Sequence, residues 1–418
     1  ESALPSLLQN AWDHDLRPPQ IVLVLAGSQV GMMVDLLGYP EGPMLEKTTL
    51  FEARTGGYWI YRVPGVLCTP RGVVLATAEA RRGRGGDWDE NDALLRRSLD
   101  GGRTWEAPQR VAANATYGTG PISNLVLIAD HDERCVHALF CHNYARVFYM
   151  RSDDDGATFT LPVEITPALA KYRDVYPWRV IAAGPGHGLQ LRTGRLIVPV
   201  WMSDGSGTEF GPGKLGHRPS VVGLTYSDDH GRNWERGDLV TRHGGARVVN
   251  PSETLAVELA DRRVLFNIRN EGLEHRRLVS VSPDGISRWS SPAFDQSLLE
   301  PVCMASLLRL SWPEGREPGR ILFANPDNLE HEMTHPQGIA CDRKRLAVKM
   351  SADDCQTWPV SRVLETGPSG YSDMARLPGG AALCVYECGT LEGMYMTREI
   401  VAARFDLAWL LATPLVSK

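Results

Sequence analysis

An eight-residue pattern, S-x-D-x-G-x-T-W, occurs intact at Ser98-Leu99-Asp100-Gly101-Gly102-Arg103-Thr104-Trp105 and returns four times in weakened form. Ser152 to Phe159 has Phe for Trp, Ser227 to Trp234 has Asn for Thr, and Ser351 to Trp358 has lost its glycine to Cys355. Ser282-Pro283-Asp284, with Trp289, is a degraded fifth copy. Each copy reads as a hairpin: Ser and Asp side chains bond nearby backbone N–H groups, glycine permits positive φ, and the terminal aromatic buries against a sheet. The copies start at 98, 152, 227, 282 and 351, at intervals of 54, 75, 55 and 69 residues. That is the spacing of a four-stranded antiparallel unit with variable loops. The expected fold is therefore all-β, a six-bladed β-propeller of four-stranded antiparallel blades, one for every 60 residues or so.

The repeat makes residues 45–418 one domain, although a chain of 418 residues could hold two or three ordinary ones. Residues 1–44 are an N-terminal extension of unclear role. Their apolar stretch, Ile21 to Leu25 continuing to Met32-Met33-Val34, is too short and interrupted for a membrane span, and is expected as a buried strand packed on the propeller. At the far end, Ile400 to Phe405 and Ala408 to Leu410 read as a strand closing the ring. With 44 basic and 50 acidic residues the net charge is −6, which gives no reason to expect nucleic acid or an anionic membrane as partner. Eight scattered cysteines, with no C-x-x-C pair, read mostly as buried thiols.

Ahead of the repeats stands Tyr61-Arg62-Val63-Pro64. Proline suits a strand start, and the arginine ahead of it is expected in an extended conformation that aims a permanently charged, planar guanidinium in one direction. This element followed by the boxes resembles the sialidases (exo-α-neuraminidases) of the bacterial and animal type, whose arginine-proline motif reads Y/F-R-I-P. The resemblance runs over residues 45 to 412 or so, and the repeated pattern is that family's Asp box.

The resemblance implies a site. Arg62, Arg269 and Arg343 match the family's carboxylate-binding arginines; Arg343 rests on its place eight residues before Ser351, and a register slip would put Lys344 or Arg345 inward instead. Three guanidiniums about 5–6 Å apart at ε about 20 repel one another by several kcal/mol, so the cluster implies an anionic ligand. Tyr371 corresponds to the nucleophilic tyrosine, Glu253 to the base that polarises it, and Glu387 to the carboxylate that orients Arg62. Glu253 and Arg269, like Tyr371 and Glu387, stand sixteen residues apart, as on successive strands of one blade. Asp87, in a polar glycine-rich loop, is the expected general acid/base, with Asp89, Glu90 and Asp92 as rivals; Trp88 is expected to raise its pKa. Arg81 is expected to face the same pocket. The implied activity is exo-α-sialidase hydrolysis of terminal sialic acids with retention through a sialyl-tyrosine intermediate, with trans-sialidase or a catalytically weak sialic-acid-binding propeller as alternatives. The implied partner is a sialylated glycan, no metal or organic cofactor is called for, and the expected location is secreted or periplasmic.

Overall fold

The computed structural model describes residues 21–26, 29–34, 42–244, 247–330, 333–335, 338–393 and 395–412. These residues form antiparallel sheets almost throughout. The first sheet runs in order Ile60–Cys68, Val74–Arg81, Asn91–Ser98 and Gln109–Ala112, and the second Ile122–Asp130, Cys135–His142, Arg146–Ser152 and Val163–Glu164. In the third, Val180–Ala183, Leu196–Ser203, Ser220–Ser227 and Glu235–Arg236 follow one another, with two short strands beside them. The fourth is Thr254–Glu258, Val264–Ile268, Arg276–Ser282 and Ala293–Leu299.

A seven-stranded sheet completes the main body. Its middle strand, Val360–Arg376, pairs through its first half with Lys344–Ser351 and through its second half with Ala382–Thr390. It therefore joins two four-stranded units, Ser306–Ser311, Arg320–Pro326 and Lys344–Ser351 on one side and Ala382–Thr390, Thr397–Phe405 and Leu45–Glu52 on the other. In the last pairing, Glu399 to Phe405 lies against Glu52 to Leu45, so the start and end of the domain share a sheet. The apolar strand residues are buried on both faces, as in Val74–Arg81 and Ile122–Asp130, because each sheet packs between two others.

The sequence expectation fails at the C-terminal edge. Leu407–Leu411 is a helical turn, not a continuation of the strand: the Asp406 side chain accepts the Trp409 N–H at 2.6 Å, an N-cap that stops the ladder at Phe405. At the other end, Ile21–Ala26 pairs with Gln29–Val34 as a separate two-stranded hairpin, where a single buried strand was expected. Residues 1–20, 27–28 and 35–41 of the 1–44 extension lie outside the described residues. Cys68, Cys135, Cys141, Cys303, Cys355, Cys384 and Cys388 are free thiols, four of them buried.

The Asp boxes close outer hairpins, and none of their residues lines the cleft described below. In the first, the Ser98 hydroxyl donates to Asp100 at 2.8 Å and accepts the Gly102 N–H at 2.8 Å, while Asp100 accepts the Thr104 N–H at 2.9 Å and hydroxyl at 2.6 Å. Asn233 replaces that threonine by donating its amide N–H to Asp229 at 2.6 Å, which explains the substitution in the third copy. In the fourth, Cys355 holds φ +67°, a left-handed backbone for which the other copies use glycine.

The bonds from Thr104 hold the Asp100 carboxyl down to about 2. The unfolded chain has it near 3.9, so its contribution is present in full above pH 4 or so and lost as pH falls towards 2. Asp100→Ala is expected to cost about 0.5–2 kcal/mol, as for loss of a capping side chain, and to leave the turnover of the folded protein unchanged. Thermal melts at pH 7 and pH 3 test both parts: the difference between variant and parent should shrink at the lower pH. A thousandfold loss of turnover at unchanged melting temperature would contradict the structural role.

Candidate active site

Residues on or beside the strands of all five main sheets line a cleft of about 520 Å³. Arg62 reaches it because Ile60–Cys68 carries a bulge between Arg62 and Gly65 in its pairing with Val74–Arg81. Val63 takes φ +52° there, a strained setting for a β-branched residue, so a bulge and not a regular extended strand aims the guanidinium. Glu387, behind it, accepts Arg62 Nε at 2.9 Å and Nη2 at 3.2 Å, and also the N–H groups of Val63 and Tyr371, each at 3.1 Å. One buried carboxylate thus fixes the arginine and the backbone on both sides of the site.

Glu253 and Arg269 flank the hairpin of Thr254–Glu258 and Val264–Ile268, and the Arg269 N–H donates to the Glu253 carbonyl at 2.9 Å. This cross-strand pairing is the physical origin of their sixteen-residue spacing. Arg269 Nη1 donates to Glu253 Oε2 at 2.5 Å and to the Tyr371 hydroxyl oxygen at 2.8 Å. The Tyr371 hydroxyl in turn donates to Glu253 Oε1. Arg62 and Arg343 both lie 5.2 Å from the centre of the Tyr371 ring, and Arg343 donates to the Val302 carbonyl at 2.6 Å. Of the competing residues, Arg345 is exposed and Lys344 pairs with Glu330 at 2.6 Å, so the register puts Arg343 in the cleft.

Burial, and next the charge of Glu253, push the Tyr371 phenol up against the pull of the three arginines, so it is neutral at rest. Asp87 behaves otherwise. Burial would raise its carboxyl, but Arg81, His217 once protonated at low pH, and Arg62 hold it well below the usual carboxylate range. Arg81 donates to Asp87 at 2.8 Å and is itself held by Glu79 at 2.6 Å. The expectation that Trp88 raises this pKa is therefore corrected: the surrounding cations outweigh burial, and the indole packs on Tyr144 and His217, with ring centres 5.1 Å and 5.8 Å apart. Among the rivals, Asp92 is buried and bonded to Tyr58 at 2.6 Å and Arg82 at 2.7 Å, Glu90 is exposed, and Asp89 accepts the Gly86 N–H at 2.8 Å within its own loop.

The structure thus brings Arg62, Arg81, Asp87, Glu253, Arg269, Arg343 and Tyr371 to one cleft, with Glu387 directly behind it. Sequence reading missed the facing wall, made by Trp88, Tyr144, Trp201, Phe210 and His217. His217 sits 4.5 Å from Phe210, 4.6 Å from Tyr144 and 5.0 Å from Trp201, ring centre to ring centre, and burial keeps its imidazole down to about 4, hence neutral. The one signal for it was the long glycine-rich loop from Ser203 to His217. One cationic wall, one aromatic wall and a phenol paired with a carboxylate suit a ligand with both an anionic and an apolar part, and allow the phenol to attack it.

The fold and cleft define a β-sheet protein with a built anion site. Residues 136–384 match the BNR repeat-like domain, and the chain belongs to that family. It is 30% identical over 427 residues to the sialidase of Micromonospora viridifaciens, covering 94% of this chain and 59% of that one. It is 25% identical over 361 residues to the sialidase of Bacteroides fragilis, covering 78% and 60%. The chain thus spans three-fifths or so of the length of these relatives. Among solved structures, the Hadza microbial sialidase Hz136 superposes with a TM-score of 0.68 at 23% identity, over 87% of this chain and 69% of that one.

Proposed function

We propose that the chain is an exo-α-sialidase, removing terminal sialic acids from glycoconjugates with retention. We read its sheets as the six four-stranded blades of a β-propeller, the seven-stranded sheet counting as two. The observation that carries the activity is the Tyr371 hydroxyl, held by Glu253 and Arg269 at the meeting point of three arginines. Similarity to sialidases over most of the chain supports the same reading.

Arg62, Arg269 and Arg343 grip the substrate carboxylate, whose two oxygens suit planar guanidinium forks. An Asp or Glu nucleophile would approach the adjacent anomeric carbon against that negative charge, whereas a neutral phenol can approach and lose its proton in place. Tyr371 gives its proton to Glu253 as its oxygen bonds the anomeric carbon, and the glycosidic bond breaks with a proton from Asp87 to the leaving oxygen. Water then attacks the sialyl-tyrosine, Asp87 takes the water proton, and Glu253 returns the phenolic one.

Asp87 is ionised at rest, so it must gain its proton with the substrate. The incoming carboxylate offsets part of the arginine field, and the sugar displaces water; both shifts raise the pKa. The substrate implies a sialylated glycan as partner and a secreted or periplasmic location. No helix of the described residues is long and apolar enough to cross a membrane.

Asp87→Ala is the test of this assignment. Substrates with poor leaving groups should slow by a hundredfold or more, roughly the value of a general acid, and aryl sialosides far less, because a phenolate leaves with little protonation. Equal losses on both would move the role to Asp89 or Glu90. Product analysis with added lactose should give free sialic acid; sialyl-lactose as main product would make the protein a transferase.

A further inference from the structure

At the end of the second sheet remote from the cleft, chain segments far apart in sequence bring metal-ligand side chains together. Ile122–Asp130 starts near Asn124, which lines the cleft, and ends at Asp130, six residues and about 20 Å further along. Asp130 pairs across the ladder with Cys135, and Cys135 and His137 share a face of the next strand. Asp130 and His137 are wholly buried, and Cys135 nearly so.

The two oxygens of Asp130 differ. Oδ1 accepts the N–H groups of Asp132 and Glu133, each at 3.0 Å, and the Gln190 amide at 2.8 Å. Oδ2 faces only imidazoles, His137 Nε2 at 3.1 Å and His230 Nδ1 at 2.8 Å. Cys135 Sγ is 3.6 Å from the same His137 Nε2. The edges of a tetrahedron built on bonds of about 2.0–2.3 Å to N, O and S ligands are about 3.3–3.7 Å, and the Asp130–His137 and His137–Cys135 donor pairs, at 3.1 Å and 3.6 Å, stand close to that separation. On its other side the His137 ring is hydrogen-bonded through Nδ1 to the Tyr149 hydroxyl at 2.9 Å, the kind of outer contact that fixes a metal-binding tautomer.

We propose that Asp130, Cys135 and His137 form a structural site for a Zn²⁺-class divalent cation, with His230 hydrogen-bonded to the Asp130 ligand oxygen from outside. The donors are the borderline set that Zn²⁺ favours, one thiolate, one imidazole and a carboxylate. Cys135 binds as the thiolate and releases its proton to solvent, and His137 binds through the Nε2 lone pair with its proton on Nδ1. His230 belongs to the third Asp box, whose Gly231 packs directly on Tyr149 and His137: a Cβ there would lie 2.5 Å and 2.9 Å from them. The carboxylate ligand of the ion therefore also holds the box turn of the third sheet, through His230. This role is separate from the cleft and does not depend on the proposed activity.

The test uses the full chain, stripped with chelator and then offered Zn²⁺ or Co²⁺ alone. One equivalent of Zn²⁺ should be retained through desalting and raise the melting temperature, and Co²⁺ should give a thiolate charge-transfer band in the near ultraviolet. Cys135→Ser should lose that band. Tyr149→Phe, which keeps every ligand and is the milder change, should bind Zn²⁺ about ten- to a hundredfold more weakly. Failure of the parent chain to retain Zn²⁺ and shift its melting, or uptake unchanged in Cys135→Ser and Tyr149→Phe, would overturn the site. If Cys135→Ser does not fold, the parent's cobalt spectrum and Tyr149→Phe decide.

Discussion

Tyr371→Phe should lower kcat on an aryl sialoside by a thousandfold or more, the scale on which removal of a nucleophile is felt, while an unsaturated sialic acid analogue still binds. The separation follows from the geometry. The substitution removes one oxygen, bonded to Glu253 and Arg269, and leaves the direct Arg269–Glu253 pair at 2.5 Å in place. Arg62 stays clamped by Glu387 and Arg343 by the Val302 carbonyl, so the anion site survives. Kinetics with calorimetry check the pair of outcomes. A phenylalanine variant retaining a tenth of the parent kcat would remove Tyr371 from the chemistry.

The arginines should divide the other way, through binding. A charge-assisted hydrogen bond is worth roughly 1.5–3 kcal/mol, so Arg343→Ala should weaken the analogue by about ten- to a hundredfold or more. Arg269→Ala should cost at least as much, since it also leaves Glu253 without its cation partner in a poorly solvated place. Arg345→Ala should leave affinity unchanged, because that side chain is exposed. Calorimetric titration of the three variants decides; a large loss for Arg345 with none for Arg343 would mean that the strand presents the other residue to ligand.

Most of this site could be read in the sequence because hairpins turn spacing into proximity. Glu253 with Arg269, at strand ends, and Tyr371 with Glu387, within paired strands, are neighbours, and their sixteen-residue separations record that pairing. The Asp boxes were legible for a similar reason, since the bonds among their Ser, Asp and Thr positions are local. What escaped was set by tertiary contacts. Trp88 adjoins Asp87 in the chain but packs on Tyr144 and His217, and Arg81 decides the charge of the carboxylate instead. The aromatic wall draws on residues 88, 144, 201, 210 and 217, with no linear signature. Leu407–Leu411 looked like strand because a short apolar run carries no period; Asp406, its cap, was the sign overlooked. The hydrogen bond between His230 and Asp130 spans 100 residues and could be seen only once the sheets were assembled.

The central claim is that Tyr371 bonds covalently to the sugar. A 3-fluoro sialosyl fluoride slows both steps through its electron-withdrawing fluorine, yet its fluoride leaving group lets the first proceed, so the intermediate should accumulate. Intact mass followed by peptide mapping should then find one sugar per chain, on Tyr371. A label on Glu253, or no label while turnover is demonstrably blocked, would contradict the tyrosine mechanism and leave direct attack by water.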